Sequence, residues 1–283
     1  MKELNFDDLK NQVCVITGGA GVIGSALATG LASAGIKVAI LDINEENANK
    51  VASKIAQATG SVVKGYQANV LDETSLQSAK EKINQGLGAI TLLINGAGGN
   101  HPKATTQYEM IEKGQSDDLE GSFYGLDLEG FDFVFNLNFK GTVISTKVLT
   151  ADMLKLGKGA VVNISSMNAF RPLTKIPAYS AAKASVNNFT QWLAVHLALT
   201  GIRVNAIAPG FFSTNQNKFL LYDEKTGELT KRGKKIIDNT PMGRYGDVDE
   251  LAGTVLYLLS DISKFVTGIT IPVDGGYSAF GGV

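Results

Sequence analysis

The feature that most restricts how this chain can fold is a repeated alternation of short runs rich in apolar and β-branched residues with longer amphipathic segments. Residues 13–16, 37–41, 62–67 and 91–94 are runs of the first kind, and 23–34 and 45–59 are segments of the second. Runs apolar on both faces suit strands covered on both sides, the situation of a parallel sheet. Parallel neighbours need a crossover, and an amphipathic helix with short connections supplies one. The pattern resumes with predicted helices at 141–156, 178–199 and 248–259 and strands at 160–164, 203–207 and 270–273. The expected fold class is α/β, a doubly wound parallel sheet with helices on both faces, in a single domain over 1–283.

Two stretches break the rhythm. Residues 99–128 and 211–245 are too long for simple connections, and both follow predicted strands at their carboxyl ends, where open α/β sheets bind ligands. They are the expected substrate loops. Composition then removes several classes of function. A chain with 44% hydrophobic and 19% charged residues can bury a large core, yet it has no apolar run of membrane-spanning length. Its net charge of -1 argues against a nucleic-acid partner, and the basic cluster at 231–235 reads as a solvated helix face. Residues 1–10 are acidic and lack the apolar stretch of an export signal, so the expected location is cytoplasmic. Cys14 lies within an apolar run and reads as a buried thiol, and one cysteine with two histidines leaves no expected metal site.

The first predicted strand runs into Thr17-Gly18-Gly19-Ala20-Gly21-Val22-Ile23-Gly24, which opens the first helix. Gly19, Gly21 and Gly24 fit G-x-G-x-x-G, the pattern in which glycines let a turn approach a pyrophosphate and present free helix N–H groups to it. The bland alternative is a turn that serves only close packing of helix on sheet. Asp42 ends the second strand, where a carboxylate can accept hydrogen bonds from ribose hydroxyls and would repel a 2′-phosphate. No Lys or Arg lies in the turn or directly after Asp42 to offset that charge, so NAD(H) is expected over NADP(H) in a Rossmann-type site. A solvated turn aspartate is the competing reading.

Tyr179 and Lys183 are separated by four positions within the predicted helix 178–199, which places phenol and ammonium on one face. A nearby cation stabilises a phenolate and brings tyrosine into the working range of acid–base chemistry. The strand before that helix ends Asn163-Ile164-Ser165-Ser166, and the Ser166 hydroxyl is placed to orient a carbonyl oxygen for proton donation.

These stretches, with Asn95-Gly96-Ala97-Gly98, Asn136-Leu137-Asn138, Arg203-Val204-Asn205-Ala206-Ile207-Ala208-Pro209-Gly210 and Val273-Asp274-Gly275-Gly276, resemble the short-chain dehydrogenase/reductase family over essentially the whole chain. The resemblance implies an oxidoreductase in which Ser166 polarises the carbonyl, Tyr179 is the general acid/base, Lys183 lowers the tyrosine pKa and binds the nicotinamide ribose, and Asn138 holds a relay water. It further implies cofactor contacts at Gly18, Gly19, Gly21, Val22, Ile23, Gly24, Asp42, Asn69, Val70, Asn95, Ala97, Gly98, Pro209, Gly210, Phe212 and Thr214, besides Tyr179 and Lys183. Two positions depart from the family pattern. Val22 stands where the middle glycine of T-G-x-x-x-G-x-G is usual, and Asn69 where an aspartate commonly meets the adenine amino group.

Within the family the substrate loops resemble the D-mannonate oxidoreductase (fructuronate reductase) branch, which implies a sugar acid as substrate. Its carboxylate and hydroxyls would call for cations and amides, and the expected contacts are Asn100, His101, Lys103, Asn168, Arg171 and Asn217, with Asn215 and Lys218 nearby. His101 is equally well a solvated loop residue, and Arg171 a surface ion-pair partner. Met167 and Phe170 are expected to face the same cavity. Phe189 and Trp192 read as core or subunit contact, His196 as packing or interface, and the resemblance implies a homotetramer. The competing functions are another sugar-acid or polyol dehydrogenase such as gluconate 5-dehydrogenase, a 3-oxoacyl-carrier reductase, and a regulator that binds NAD without turnover.

Overall fold

The computed structural model describes residues 5–114, 119–213, 221–223 and 226–282. Seven strands, β1 (Val13–Thr17), β2 (Lys37–Asp42), β3 (Val63–Gln67), β4 (Leu92–Asn95), β5 (Gly159–Ile164), β6 (Ile202–Pro209) and β7 (Thr270–Val273), form one sheet in the order β3-β2-β1-β4-β5-β6-β7. Every adjacent pair is parallel. Period-two alternation sorts each strand's side chains between two cores. Cys14, Ile16, Val38, Ile40, Leu92, Ile94 and Val162 enter one, and Val13, Val15, Ala39, Leu41, Leu93 and Val161 the other.

Helices α1 (Val22–Ser33), α2 (Glu45–Thr59) and α9 (Glu250–Leu259) cover the first face, and α3 (Glu73–Gly86), α5 (Gly141–Leu149), α6 (Ala151–Leu156) and α7 (Pro177–His196) the second. The remaining helices, α4 (Leu128–Phe135) and α8 (Lys231–Asp238), belong to the segments that break the alternation. The expected elements are present, with ends shifted by a few residues. Helix α3 is an addition that the sequence reading passed over, because its only large buried apolar residues are Leu76 and Ile83. A helix expected to run unbroken over 141–156 is interrupted at Thr150 and preceded by a π-helical turn, Asn136–Lys140. Cys14 is fully buried, and that burial raises its thiol pKa, as an inert core thiol requires. Among the described residues no helix is long and apolar enough to cross a membrane.

Parallel pairing brings all seven carboxyl ends to one edge. The chain turns there at 18–24, 42–44, 68–72, 96–101, 165–171, 210–213 and 274–277, so residues far apart in sequence line a common rim. At the opposite end of β6, Arg203 fixes the carboxyl terminus of α9. Its guanidinium donates to the carbonyls of Leu258 (2.7 Å), Leu259 (3.1 Å), Ser260 (3.0 Å) and Val266 (3.3 Å) and to Ser263 Oγ (3.0 Å). The planar fork satisfies carbonyls that the helix leaves without partners, and an ammonium cannot reproduce that geometry. Replacement of Arg203 by Met is therefore expected to destabilise the protein by about 3 kcal/mol in urea unfolding, with Arg203→Lys recovering only part of the loss. A change within about 0.5 kcal/mol would show that the fork carries little of the stability.

Candidate active site

The glycine turn after β1 has three strict requirements, one of them Gly19, where a Cβ would lie 2.8 Å from Ile16 O. Gly18 has φ +63°, and a Cβ there would lie 2.8 Å from Ala97 Cα; a Cβ on Gly24 would strike the Gly18 carbonyl and lie 2.7 Å from Gly19 Cα. Gly21 is less constrained, since its Cβ would meet only Gly18 O, at 3.3 Å. The literal G-x-G-x-x-G match thus overstates Gly21, and Gly18, Gly19 and Gly24 carry the geometry. Val22 is accommodated because it is the first residue of α1, where helical dihedrals suit any L residue. Gly21 precedes α1 without any side-chain cap, so first-turn N–H groups are free to meet an anion beside Val22 and Ile23.

Asp42 lies half-buried at the end of β2, its carboxylate accepting only from Asn44 N at 3.2 Å. Asn69 is exposed and its side-chain oxygen already accepts from Leu71 N at 3.0 Å; Val70 is buried and packs on Gly141. Thr17 Oγ1 accepts from both Gly96 N (3.1 Å) and Ala97 N (3.2 Å), which fixes the floor between β1 and β4. Asn95 differs from its expected place on that floor. Its carboxamide is turned into the protein and donates to Thr146 Oγ1 and Asn163 Oδ1, both at 2.8 Å.

Tyr179 falls in the first turn of α7, after Pro177 has set the helix start, and Lys183 follows one turn on. Lys183 is buried, donates to Ile164 O at 2.8 Å, and places Nζ 5.6 Å from the centre of the Tyr179 ring. Ser166, at the end of the segment leaving β5, hydrogen-bonds the Tyr179 phenol and also accepts from Asn168 N at 3.2 Å. Tyr179 packs against Ala104, Val134, Ala178 and Phe131, so the 99–128 segment contributes to its cover.

Burial sets the electrostatics here. It raises the Tyr179 pKa, opposed by the Ser166 hydrogen bond, and lowers that of Lys183 to about 8. The Ser166 hydrogen bond favours the phenolate, and Lys183 stands beside the ring as the cation expected to do the same. With burial the larger influence, the phenol stays protonated at neutral pH, the form that can donate a proton.

Asn138 lies on the same side of the site, next to Gly98 and Lys183. It is fully buried in the π-helical turn, and its amide donates to Gly99 O (2.7 Å) and Val134 O (2.8 Å) while Oδ1 accepts from Gly99 N (3.2 Å). Both amide protons are committed to backbone, so the side chain fastens the Gly98–Gly99 segment. A Cβ on Gly98 would lie 2.5 Å from Asn138 Oδ1 and 3.3 Å from Lys183 Nζ, so glycine keeps this corner open.

Of the expected substrate contacts, Lys103 is corrected most clearly. Its ammonium pairs with Asp127 at 3.0 Å, at the N-terminus of α4, and that carboxylate raises the lysine pKa. Asn100 donates to Thr105 Oγ1 at 2.8 Å, and His101 Nδ1 accepts from Lys103 N at 3.2 Å while its ring meets Phe133 edge-on. Met167 and Asn168 are buried and Phe170 is exposed. Pro209 and Gly210 end β6 against Asp274, and Phe212 is buried with its ring against Gly246. Thr214, Asn215, Asn217 and Lys218 lie outside the described residues.

The sequence reading overlooked a row of threonines. Thr142, Thr146 and Thr150 recur every fourth residue, each hydroxyl donating to the carbonyl four positions back, and Asn163 donates to Thr190 Oγ1 on α7 at 2.8 Å. Hydroxyls recurring at helical spacing in an apolar segment are the signal that would have found them.

The family described as enoyl-(acyl carrier protein) reductase matches residues 18–278. An uncharacterized oxidoreductase of Bacillus subtilis, UxuB, is 50% identical over 279 residues, covering 98% of each chain. A crystal structure of a provisionally named D-mannonate oxidoreductase from Haemophilus influenza, with bound NAD, superposes with a TM-score of 0.91 at 49% identity, covering 97% of this chain and 98% of that one. A gluconate 5-dehydrogenase from Burkholderia cenocepacia, in complex with NADP and tartrate, superposes with a TM-score of 0.80 at 29% identity over 96% of each chain. With its glycine turn, its Ser166, Tyr179 and Lys183 cluster and full-length matches of this kind, the chain belongs to the short-chain dehydrogenase/reductase family of oxidoreductases.

Proposed function

We propose that the protein is an NAD(H)-dependent oxidoreductase that interconverts D-mannonate and D-fructuronate. The observation that carries the chemistry is the meeting of Ser166, Tyr179 and Lys183 at the carboxyl rim, beside a glycine cradle and across from Asp42. The cradle fits a dinucleotide, because close backbone approach at Gly18 and Gly24 and uncapped N–H groups on α1 suit a pyrophosphate, and the carboxylate of Asp42 disfavours a 2′-phosphate. The sugar-acid assignment is supported by the name of the Haemophilus relative and by the polar substrate segments, Asn100, His101 and Asn168 among them.

NADH, when bound, supplies the hydride. Ser166 and Tyr179 hydrogen-bond the ketone oxygen and hold the carbonyl for attack. As that oxygen gains charge, the phenol O–H breaks and its proton passes to the oxygen, leaving an alcohol and a phenolate. Lys183, charged below its own pKa, stabilises the phenolate and holds a ribose hydroxyl. Asn138 keeps the Gly98–Gly99 backbone open beside them. Oxidation of D-mannonate runs the same steps in reverse.

A cytoplasmic location and a homotetramer belong to the same reading. Trp192, 57% exposed, lies stacked between Phe189 and His196 on α7, with Val195 and Leu199 also exposed, so this face is surface in the single chain and suits a subunit contact. Light scattering at micromolar concentration is expected to give four chains, and a monomer would remove the assembly from the proposal.

Two further measurements bear on the chemistry. Because Lys183 titrates near 8 and Tyr179 above its ordinary range, reduction should lose efficiency as Lys183 loses its charge. The kcat/KM for the ketone is expected to be level near about pH 6–7 and to fall above about pH 8; a decline beginning only near about pH 10 would take Lys183 out of the step. For the substrate, kcat/KM with NADH is expected to be highest for D-fructuronate among D-fructuronate, 5-ketogluconate and an acetoacetyl thioester. A clear preference for either of the other two, or for NADPH, would overturn the assignment.

A further inference from the structure

A sugar acid differs from a neutral ketose by one permanent charge, and selecting it calls for a cation that no protein carboxylate already neutralises. Around the rim, Lys103 is paired with Asp127, Lys235 with Glu109 at 2.6 Å, and Arg244 with Glu250 through bonds of 2.7 and 2.8 Å. Arg171 differs from these. It follows the Met167–Ala169 turn, its backbone N–H donates to Met167 O at 3.0 Å, and its half-buried guanidinium donates from Nη1 to the Tyr277 carbonyl at 3.1 Å. Among the described residues no carboxylate pairs with it, so its full charge and its other N–H groups remain available.

Asn168 supplies an independent observation on the same short segment. The residue is only 5% exposed, and among the described residues its buried side-chain oxygen has no hydrogen-bond partner. An amide left in that condition is costly unless a ligand completes it. Its backbone N–H donates to Ser166 Oγ, so the main chain at 168 is tied to the residue assigned to the reacting carbonyl.

The carbonyl that holds Arg171 is itself well fixed. Tyr277 packs edge-on against Phe211 with ring centres 5.2 Å apart, and Asp274 accepts from Gly276 N and Ser278 N, both at 2.9 Å. The C-terminal segment therefore sets where the charge stands.

We propose that Arg171, steadied by the Tyr277 carbonyl, pairs with the substrate carboxylate while Asn168 hydrogen-bonds a hydroxyl of the same molecule, so that the 166–171 segment selects acidic over neutral ketones. The inference rests on the sugar-acid reading of the site. In D-fructuronate three hydroxyl-bearing carbons separate ketone from carboxylate, which suits a cation one short turn beyond Ser166 and an amide between them.

The test compares D-fructuronate with D-fructose, in which a CH2OH group replaces the carboxylate, using NADH and the full-length enzyme. Where D-fructose turns over too slowly, its inhibition constant replaces its KM. Arg171→Met is expected to reduce the acid-to-neutral ratio of kcat/KM on the order of 100-fold, mainly through the KM for the acid. Arg171→Lys should keep part of the preference, and serves alone if the Met variant does not fold. Asn168→Ala should raise the KM for both substrates about 10-fold and leave the ratio in place. An unchanged ratio in both Arg171 variants, or an equal loss for both substrates, would overturn the inference. If the native enzyme instead prefers 5-ketogluconate, the D-fructuronate assignment fails, and the same comparison on that acid still decides Arg171. A native preference for the neutral ketose would overturn both.

Discussion

The catalytic side chains sit on α7, and a helix lying across a sheet on apolar contacts alone can settle in several registers. Here a row of buried amides and hydroxyls fixes one. Thr17, Asn95 and Asn163 stand in register on β1, β4 and β5. Asn95 bridges Thr146 on α5 to Asn163, and Asn163 reaches Thr190 on α7. Ser165 Oγ donates to Lys183 O and Lys183 Nζ to Ile164 O, so sliding α7 by one residue would strand the Asn163, Ser165 and Lys183 donors together, at about 1–3 kcal/mol each. The apolar clusters give the sheet its stability, while this polar seam gives α7 its position and hence sets Tyr179 and Lys183 against Ser166. The seam is not fully satisfied, since Asn95 Oδ1 and Ser145 Oγ lack partners within the protein.

Position alone does not make a tyrosine an acid. The partial burial of Tyr179 comes in part from Ala104 of the 99–128 segment, and it favours the protonated form of the phenol. The same burial weakens the hold of Lys183 on its proton, which leaves an ammonium that yields its charge close to physiological pH. One environment therefore moves the two groups in opposite directions, the acid upward and the cation downward. Their ordinary values nearly coincide, so burial sets them apart, and the direction in which each moves is set by the sign of its charged form.

The alternation of runs was enough to read the sheet, the helices on both faces and the carboxyl rim. Boundaries failed where hydroxyls compete with the helix ladder. Thr142, Thr146 and Thr150 each bond back to a carbonyl, and the 141–156 segment breaks at the last of them. Helix α3 was missed because two large apolar residues give a faint period, although Asp72 caps its first turn through Thr74 N and Ser75 N. At the site, residue types were legible and their commitments were not. Nothing in sequence spacing shows that Asn95 faces inward, that Asn138 has both amide protons on backbone carbonyls, or that Asp127 takes up Lys103, because each partner is supplied by the tertiary fold.

That difference between possessing a group and having it free is sharpest for the cations. Lys103 adjoins the cofactor floor in sequence and looks the natural partner of a carboxylate, yet Asp127 neutralises it while capping α4. Arg171 sits beside a proline and suits a surface ion pair equally well by sequence, yet its structural partner is a neutral carbonyl. A carbonyl orients a guanidinium without cancelling its charge, whereas a carboxylate does both. Choosing the first kind of partner keeps a cation both ordered and available, at the cost of desolvating it without compensation from an opposite charge.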